Sequence, residues 1–492
     1  MSVEGGEIFE GGEKRPEYVR LVEGEKIAEK VGLAGCEKVV WCETGYYLPE
    51  RPSFTYDPLF HAGCYYVQEA ASMFLEQVVK QYITSPVVCL DLCAAPGGKS
   101  THLQSLLPAK SLLVSNEVIQ SRASVLKENM IKWGSPYTVV TCNDPKDFSL
   151  LTQMFDVIVA DLPCSGEGMF RKDGRSRDEW SPDNVKLCAA RQRRIIRDIW
   201  PSLKPGGLLV YSTCTFNREE NEENIRHLID DYNAEVLSIA IEESWGVSPA
   251  IDESFPMYRF FPHRTKGEGF CLALVRKPGE ENMIQGFKDS KSQEFCPRIS
   301  QLDTKKESKY QRTDVQYSTL KPSPSKVKRH NPLHLHHGLG KNDFFDNASC
   351  CNDWLVVSDD GYHFEVSRKM VRAIPESVLG IYRLITKHLH VLYAGVTVGE
   401  IKGNDIVPSP ALALSTSFRR EAFSSIELSK ELCIRYLQNE ALILPESVPI
   451  GFVVVTYQHV PLGFVKNIGT RANNLYPQAW RIRGRLPQSS SM

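Results

Sequence analysis

A chain of 492 residues, 42% hydrophobic and 24% charged, is long enough for about two to four domains with real cores and has the make-up of an ordinary globular protein. Fifty-eight Lys and Arg against sixty Asp and Glu leave a net charge of −2, so bulk charge announces no nucleic-acid partner and any basic surface must be local. Met1-Ser2-Val3-Glu4-Gly5-Gly6-Glu7 has no basic or apolar stretch of secretory type, no apolar run reaches the roughly 18–20 residues that cross a bilayer, and fourteen scattered cysteines form no C-x-x-C pair. The expectation is a cytoplasmic monomer without membrane contact, most of its thiols buried as small apolar groups.

Residues 1–62 read as a small mixed region. Lys38-Val39-Val40-Trp41 and Tyr46-Tyr47-Leu48 have the composition of short strands, and Arg51-Pro52-Ser53 that of a turn. From Tyr66 to Val79 a helix is expected, with Val67, Ala71, Phe74 and Val78 near one face. Strand–helix alternation then begins. Val87–Leu92 is a continuous apolar run of buried-strand type, followed by Ala95-Pro96-Gly97-Gly98-Lys99 and a helical stretch to Leu107. Ser111–Glu117, Thr138–Asp144 and Phe155–Asp161 repeat the strand pattern, with a helix over Gln120–Trp133. After a polar loop come an amphipathic helix at Asp183–Trp200, a turn at Pro205-Gly206-Gly207 and a strand at Leu208–Ser212. A helix over Glu219–Asp230 and strands near Val236–Ile239 and Gly269–Val275 complete the unit. Such alternation means βαβ units around a parallel sheet, a Rossmann-like α/β domain over 63–277.

Residues 278–345 are rich in Lys, Ser, Gln and Pro and read as a disordered linker. Its tract His330-Asn331-Pro332-Leu333-His334-Leu335-His336-His337 has no carboxylate or cysteine framework around it, so no metal site is assigned. Globular patterning returns in an α+β region at 346–440, with helices near Pro375–His388 and Leu428–Asn439. A small β module at 441–492 carries a hairpin of Gly451–Tyr457 and Pro461–Lys466.

The glycine loop after the first apolar strand has three readings. A phosphate-binding loop needs glycine five residues before the Gly of GK[ST], and Cys93 stands there. The dinucleotide fingerprint G-x-G-x-x-G is absent. S-adenosylmethionine remains: a short glycine turn lets backbone approach its amino-acid end, and no pyrophosphate has to be cradled. Glu117, nineteen residues past Gly98, stands where an acid takes ribose hydroxyls, and Asp144 could accept from the adenine amino group. The plain alternative is an ordinary turn with helix-capping polar groups.

Asp161-Leu162-Pro163-Cys164-Ser165-Gly166 and Ser212-Thr213-Cys214-Thr215 end two strands, and the two cysteines stand fifty residues apart. If those strands are parallel neighbours, both thiols reach the sheet edge where ligands bind. Carbon 5 of a pyrimidine is too weak a nucleophile to take a methyl group unaided. A thiolate added at carbon 6 activates it, a carboxylic acid near the ring nitrogen eases the addition, and a base must later remove the carbon-5 proton. Asp161, Cys164 and Cys214 supply those groups. Singly, each cysteine would more often be a buried structural thiol. Amino-group methyltransferases carry Tyr or Phe where Cys164 stands, which favours carbon chemistry.

With these residues in hand, 63–275 resembles the Sun-type RNA cytosine-C5 methyltransferases. The matching stretches are Tyr66-Val67-Gln68-Glu69-Ala70-Ala71-Ser72-Met73, Ala94–Lys99, Asp161–Gly166, Ser212-Thr213-Cys214-Thr215-Phe216 and Phe261–Phe270. The resemblance implies a class I methyltransferase sheet with Cys214 as nucleophile and Cys164 assisting product release. It implies that Cys93, Ala94, Ala95, Pro96, Gly97, Gly98, Lys99, Glu117, Asp144 and Asp161 line an S-adenosylmethionine site. The C-terminal half, with Leu462-Gly463-Phe464 and Asn473-Asn474-Leu475-Tyr476-Pro477, is similar to the tail of the bacterial RsmF-like 16S rRNA methyltransferases, which implies a PUA-like RNA-binding module. The region before Gly63 is shorter and more acidic than the family's N-terminal portion, and the linker is longer than usual.

Local basic surface is on offer. Arg171, Lys172, Arg175 and Arg177 follow Cys164; Arg191, Arg193, Arg194 and Arg197 lie on the next helix; Trp480, Arg481 and Arg483 stand near the C-terminus. A solvated helix face paired with Asp178, Glu179 and Asp198 is the simpler reading of the second group. The expected partner is RNA, foremost 16S rRNA or the small ribosomal subunit, with the target base unstacked to reach the thiols. A tRNA cytosine-C5 methyltransferase and a non-catalytic rRNA-binding assembly factor are the alternatives.

Overall fold

The computed structural model describes residues 17–21, 29–33, 35–172, 174–279, 349–356, 361–403 and 405–484. The acidic N-terminus, nearly all of 278–345 with its histidine tract, and the chain beyond 484 lie outside the described residues.

Strand β1 (Glu17–Leu21) pairs antiparallel with β2 (Gly45–Leu48) and β3 (Tyr65–Tyr66). Lys38-Val39-Val40-Trp41 is not a strand; it meets β2 at an isolated Lys38–Tyr46 bridge. The chain turns there because Trp41 enters the core, its indole Nε1 donating to the Ala70 carbonyl at 2.7 Å. The helix expected from Tyr66 also starts late, as a 3-10 turn over Ala71–Phe74 and an α-helix over Leu75–Tyr82. Glu69 explains the delay: its carboxylate accepts from the backbone N–H of Ala71 (3.0 Å) and Ser72 (2.8 Å), a local bonding pattern that competes with helix.

The next strands are β4 (Val88–Asp91), β5 (Leu112–Asn116), β6 (Thr138–Thr141), β7 (Phe155–Asp161), β8 (Leu203–Thr213), β9 (Glu235–Leu237), β10 (Tyr258–Phe260) and β11 (Phe270–Arg276). Past residue 348 come β12 (Tyr362–Ser367), β13 (Met370–Pro375), β14 (Val391–Ala394), β15 (Val396–Lys402) and β16 (Asp405–Pro408). The last are β17 (Ser424–Glu427), β18 (Gly451–Tyr457), β19 (Val460–Asn467) and β20 (Ala472–Asn474).

A nine-stranded sheet runs in the order β10-β11-β8-β7-β4-β5-β6-β14, with β9 pairing β11. Its centre, β8-β7-β4-β5-β6, is parallel, while β10, β11, β9 and β14 are antiparallel flanks. Every residue of β4 and β5 is buried, which is why these strands read as unbroken apolar runs rather than alternating ones. The chain builds outward from β4 through β5 to β6, then returns to the other side of β4 with β7 and β8. That reversal makes the carboxyl end of β4 the crevice of the sheet.

Two expectations at strand ends are corrected. Pro205-Gly206-Gly207 is no turn between elements; it lies inside β8 as a bulge, the register jumping from Phe155–Leu203 to Val157–Leu208. Asp144 does not close a strand. β6 stops at Thr141, and Asp144 caps the 3-10 turn Pro145–Leu150, its carboxylate accepting from the Lys146 N–H at 3.1 Å.

The remaining strands form two four-stranded sheets, β12-β13-β15-β16 and β17-β18-β19-β20. The β18/β19 hairpin follows its sequence pattern, and β17 joins it in parallel. No described helix is long and apolar enough to cross a membrane.

Candidate active site

At the carboxyl end of β4 opens a cavity of about 180 Å³. The loop over 92–97 forms its floor, and three bonds hold that loop open. The Ala94 N–H donates to the Asn116 carbonyl (2.8 Å), Arg122 Nη2 donates to the Ala95 carbonyl (2.9 Å), and Asn129 Nδ2 donates to the Pro96 carbonyl (2.8 Å). Gly97 has φ +119°, a conformation side chains resist, and the helix Gly98–Leu106 begins directly after it. Cys93, Ala94, Ala95, Pro96, Gly98 and Lys99 line the cavity, as does Asp161 from the end of β7.

Tyr66, Gln68 and Glu69, expected inside a helix, make the opposite wall. Gln68 is fixed from behind by Arg20, which is fully buried, donates from Nε to Gln68 Oε1 (2.8 Å) and from Nη2 to Thr101 Oγ1 (2.7 Å), and lies over the Trp133 ring. Burial lowers the Arg20 pKa to about 10, which still leaves it a cation at neutral pH. Glu69 ties the wall to the loop before β11 by accepting from the Glu268 N–H at 3.0 Å.

Asp91, the last residue of β4, is the charged group that sequence reasoning missed here. Ser100 Oγ donates to its Oδ2 at 2.6 Å, while its buried Oδ1 has no hydrogen-bond partner. Burial pushes this carboxyl up to about 7, the Ser100 hydrogen bond working the other way. Glu117 and Asp144 are outside the cavity lining. Glu117, just past β5, accepts from the Ile119 N–H (3.0 Å) and faces Arg122 Nη1 at 3.1 Å. Between these acids Asn116 cross-links strand ends, bonding the Leu92 and Asn143 carbonyls, Thr141 Oγ1 and the Asn143 N–H.

The two cysteines meet. β7 and β8 are parallel neighbours with Asp161 opposite Ser212, and Cys164 Sγ lies 3.2 Å from Cys214 Sγ. The hydrogen bond with Cys214, and then burial, hold the Cys164 thiol well above its ordinary pKa. Beside the pair, Asp161 receives Lys99 Nζ on Oδ2 (2.8 Å) and Ser212 Oγ on Oδ1 (2.9 Å). Burial opposes the charge on Lys99, but Asp161, Asp91 and Cys214 together raise its pKa above that of a free lysine.

A polar cage under the thiols fixes their spacing. Glu220 is wholly buried and accepts from the Ser165 N–H (3.1 Å), Asn217 Nδ2 (2.8 Å) and Gln192 Nε2 (2.7 Å). Gln192 also donates to the Pro163 carbonyl and accepts from Tyr211 and Asn224. Glu167 holds the other loop, accepting from Thr215 Oγ1 (2.9 Å) and the Phe216 N–H (2.7 Å). Gly168 donates its N–H to the Cys214 carbonyl at 2.8 Å, and a Cβ on Gly269 would stand 2.3 Å from Phe216 Cζ, so both loops interlock through glycine.

Of the basic residues, Arg191 and Arg194 are exposed on the helix Pro182–Ile199 and make no ion pair among the described residues. Arg197 pairs with Asp198 and Arg193 bonds Asn224. Arg171 and Lys172 are exposed beyond Cys164, Arg171 lying 3.7 Å from Glu268. Arg481 is exposed at the far end of the chain, beside half-buried Trp480.

Comparison with known proteins finds rRNA methyltransferases. A family model described as 16S rRNA methyltransferase RsmB/F matches residues 84–276, one for the RsmF PUA domain matches 423–482, and one for the N-terminal domain of RsmF matches 21–70. The ribosomal RNA small subunit methyltransferase F of Salmonella arizonae is 29% identical over 463 residues, covering 91% of this chain and 85% of that protein. The protein of that name from Escherichia coli O9:H4 is 29% identical over 465 residues, covering 92% and 86%. A solved methyltransferase homologue from Pyrococcus horikoshii is 27% identical with a TM-score of 0.46, covering 54% of this chain and 87% of that one. With three matching models in chain order, the chain is RsmF-like, carrying a methyltransferase domain of the RsmB/F kind and a C-terminal PUA domain of the RsmF kind.

Proposed function

We propose that the protein is an S-adenosylmethionine-dependent RNA cytosine-C5 methyltransferase acting on 16S rRNA. The observation that carries the chemistry is the Cys164–Cys214 thiol contact, at the ends of the strands whose Asp161 lines a cavity floored by a glycine loop. The 16S target rests on the family models and on the names of the relatives.

The residues present fit the methyl donor. Asp91 Oδ1 is a buried acceptor without a partner, which suits an α-ammonium group. Cys93–Gly98 bring backbone close enough for an amino-acid moiety, and Glu117 stands one strand over for a ribose. When bound, S-adenosylmethionine supplies an electrophilic methyl group. The chain does the rest. Cys214 adds to carbon 6 of the cytosine as thiolate. Asp161, held by Lys99 and Ser212, polarises the ring nitrogen. Cys164 assists once carbon 5 is methylated: a base takes the carbon-5 proton, the electron pair re-forms the carbon 5–carbon 6 double bond, and the carbon 6–sulfur bond breaks, returning Cys214 to the thiolate.

Bisulfite sequencing of rRNA and tRNA after deletion of the gene tests the reading. A 5-methylcytosine lost from 16S rRNA is the expected result. Loss from tRNA alone would favour the tRNA alternative, and no loss would favour a non-catalytic factor.

A further inference from the structure

A second cavity, of about 210 Å³, shares no lining residue with the first and opens where six segments of the chain converge. Lys127 and Ile131 reach it from the helix Gln120–Trp133, Arg372 from β13, Tyr393 from β14 and Trp480 from the end of the PUA domain.

Its lining sets two aromatic residues and two cations among aliphatic side chains, Thr397 and Ser409. Tyr393 is 5% exposed. Trp480 is half-buried and held in place by Tyr476, edge-on at 6.0 Å between centroids, and by Lys132, whose Nζ lies 5.5 Å from the ring. Lys127 makes no hydrogen bond or ion pair among the described residues. Arg372 lies 3.5 Å from Glu365 Oε1 and also bonds the Tyr382 side chain, and Glu365 already accepts from the Tyr382 hydroxyl at 2.6 Å. Two cations against one committed carboxylate favour an anionic ligand, and the rings favour a planar one. At about 210 Å³ the space is below the ~300–1,000 Å³ of drug-sized sites and suits one base rather than a stack.

We propose that this pocket captures a single unpaired nucleotide of the substrate RNA, its base against Trp480 and Tyr393 and its phosphate on Lys127 and Arg372. Aromatic platforms with flanking cations are how proteins take splayed single-stranded bases. The inference rests on the RNA reading above, and it makes the junction of catalytic and PUA domains an anchoring point separate from the thiol site.

The test uses the full chain and a fluorescently labelled single-stranded fragment of 16S rRNA, with affinity followed against salt. Each phosphate contact on a single strand contributes about 0.7 to the slope of log affinity against log salt. Lys127→Ala with Arg372→Gln should flatten that slope by about 1.4 and weaken binding about tenfold or more, while affinity for S-adenosylhomocysteine stays unchanged. With 4-thiouridine in the RNA, wild-type protein should crosslink within the peptide carrying Trp480. An unchanged slope in that double variant, while Arg191→Ala with Arg194→Ala does lower it, overturns the pocket and leaves the RNA reading standing. Wild-type protein that does not bind the RNA overturns both. Competition by free cytidine monophosphate as strong as by RNA would assign the pocket to a free nucleotide and overturn the anchoring role.

Discussion

Glu220→Gln probes whether the polar cage sets the thiol geometry. The carboxylate is fully buried and each oxygen serves donors: Oε1 takes Asn217 Nδ2 at 2.8 Å, Oε2 takes Gln192 Nε2 at 2.7 Å, and the Ser165 N–H lies 3.1 to 3.2 Å from both. A neutral amide of the same shape keeps one acceptor and turns an N–H₂ toward a donor. Flipping Gln192 to compensate would sacrifice its bonds to Tyr211, Asn224 and the Pro163 carbonyl. About two buried polar groups lose partners, at ~1–3 kcal/mol each, so local stability should fall by about 2–4 kcal/mol. Hydrogen exchange at the peptide 162–168 should then rise about thirty-fold to several-hundred-fold. Methyl transfer should slow with it, since the Ser165 N–H holds the loop that carries Cys164, while cofactor affinity holds. Exchange within a factor of three of wild type, with full activity, would refute the cage as the device that spaces the thiols.

Cys214→Ala should abolish methyl transfer while S-adenosylhomocysteine binding, read by calorimetry, survives; retained turnover would remove Cys214 as nucleophile. Cys164→Ala should accumulate a covalent protein–RNA adduct visible as a denaturant-resistant gel shift. Burial raises the Asp91 carboxyl to about 7, so it binds a proton below that pH and carries charge above it. Affinity for the donor's ammonium should therefore rise about tenfold per unit as pH climbs toward 7 and level off above it, and Asp91→Asn should flatten the profile. The same group has the opposite effect on folding: unfolded Asp91 releases its proton near 4, so its contribution to stability is full below about 4 and is lost as pH rises to about 7. Gly269→Ala drives a Cβ to 2.3 Å from Phe216 Cζ and 2.7 Å from Gly168 Cα, an overpacking of about 1–3 kcal/mol that a urea titration would register.

What could be read in advance follows from what each segment must satisfy. β4, β5 and β7 are buried along most of their length, so each carries an apolar run with polar residues mainly toward its ends, and their order is legible. The meeting of Cys164 and Cys214 follows once β7 and β8 are taken as neighbours. Glu220, Gln192 and Asn224 were not legible, because polar residues on a helix flank look solvated until Tyr211 and the Ser165 N–H are brought against them. Arg20 was hidden in the same way, since a lone arginine in a short strand gives no sign that Gln68 and Thr101 will close over it. The 66–70 segment carries helical periodicity, but Glu69 spends its carboxylate on backbone N–H groups and holds the chain extended. Asp144 looked like a strand end because Cys142 and Asn143 extend the run in composition, although the ladder stops at Thr141.

The pairing of β14 with β6 has a consequence in time. Val391 is made 115 residues after Arg276, so the outer edge of β6 waits for its neighbour after the rest of the sheet has left the ribosome. At about 5–20 residues per second the wait is about 6–23 s. During it, Thr138–Thr141 offers unpaired N–H and C=O groups to any passing strand. A fragment ending near residue 279 would keep both thiols and the glycine loop but leave that edge open permanently. The tail that carries the PUA domain thus also finishes the sheet beneath the cofactor loop, and the two are born as a single obligation of the nascent chain.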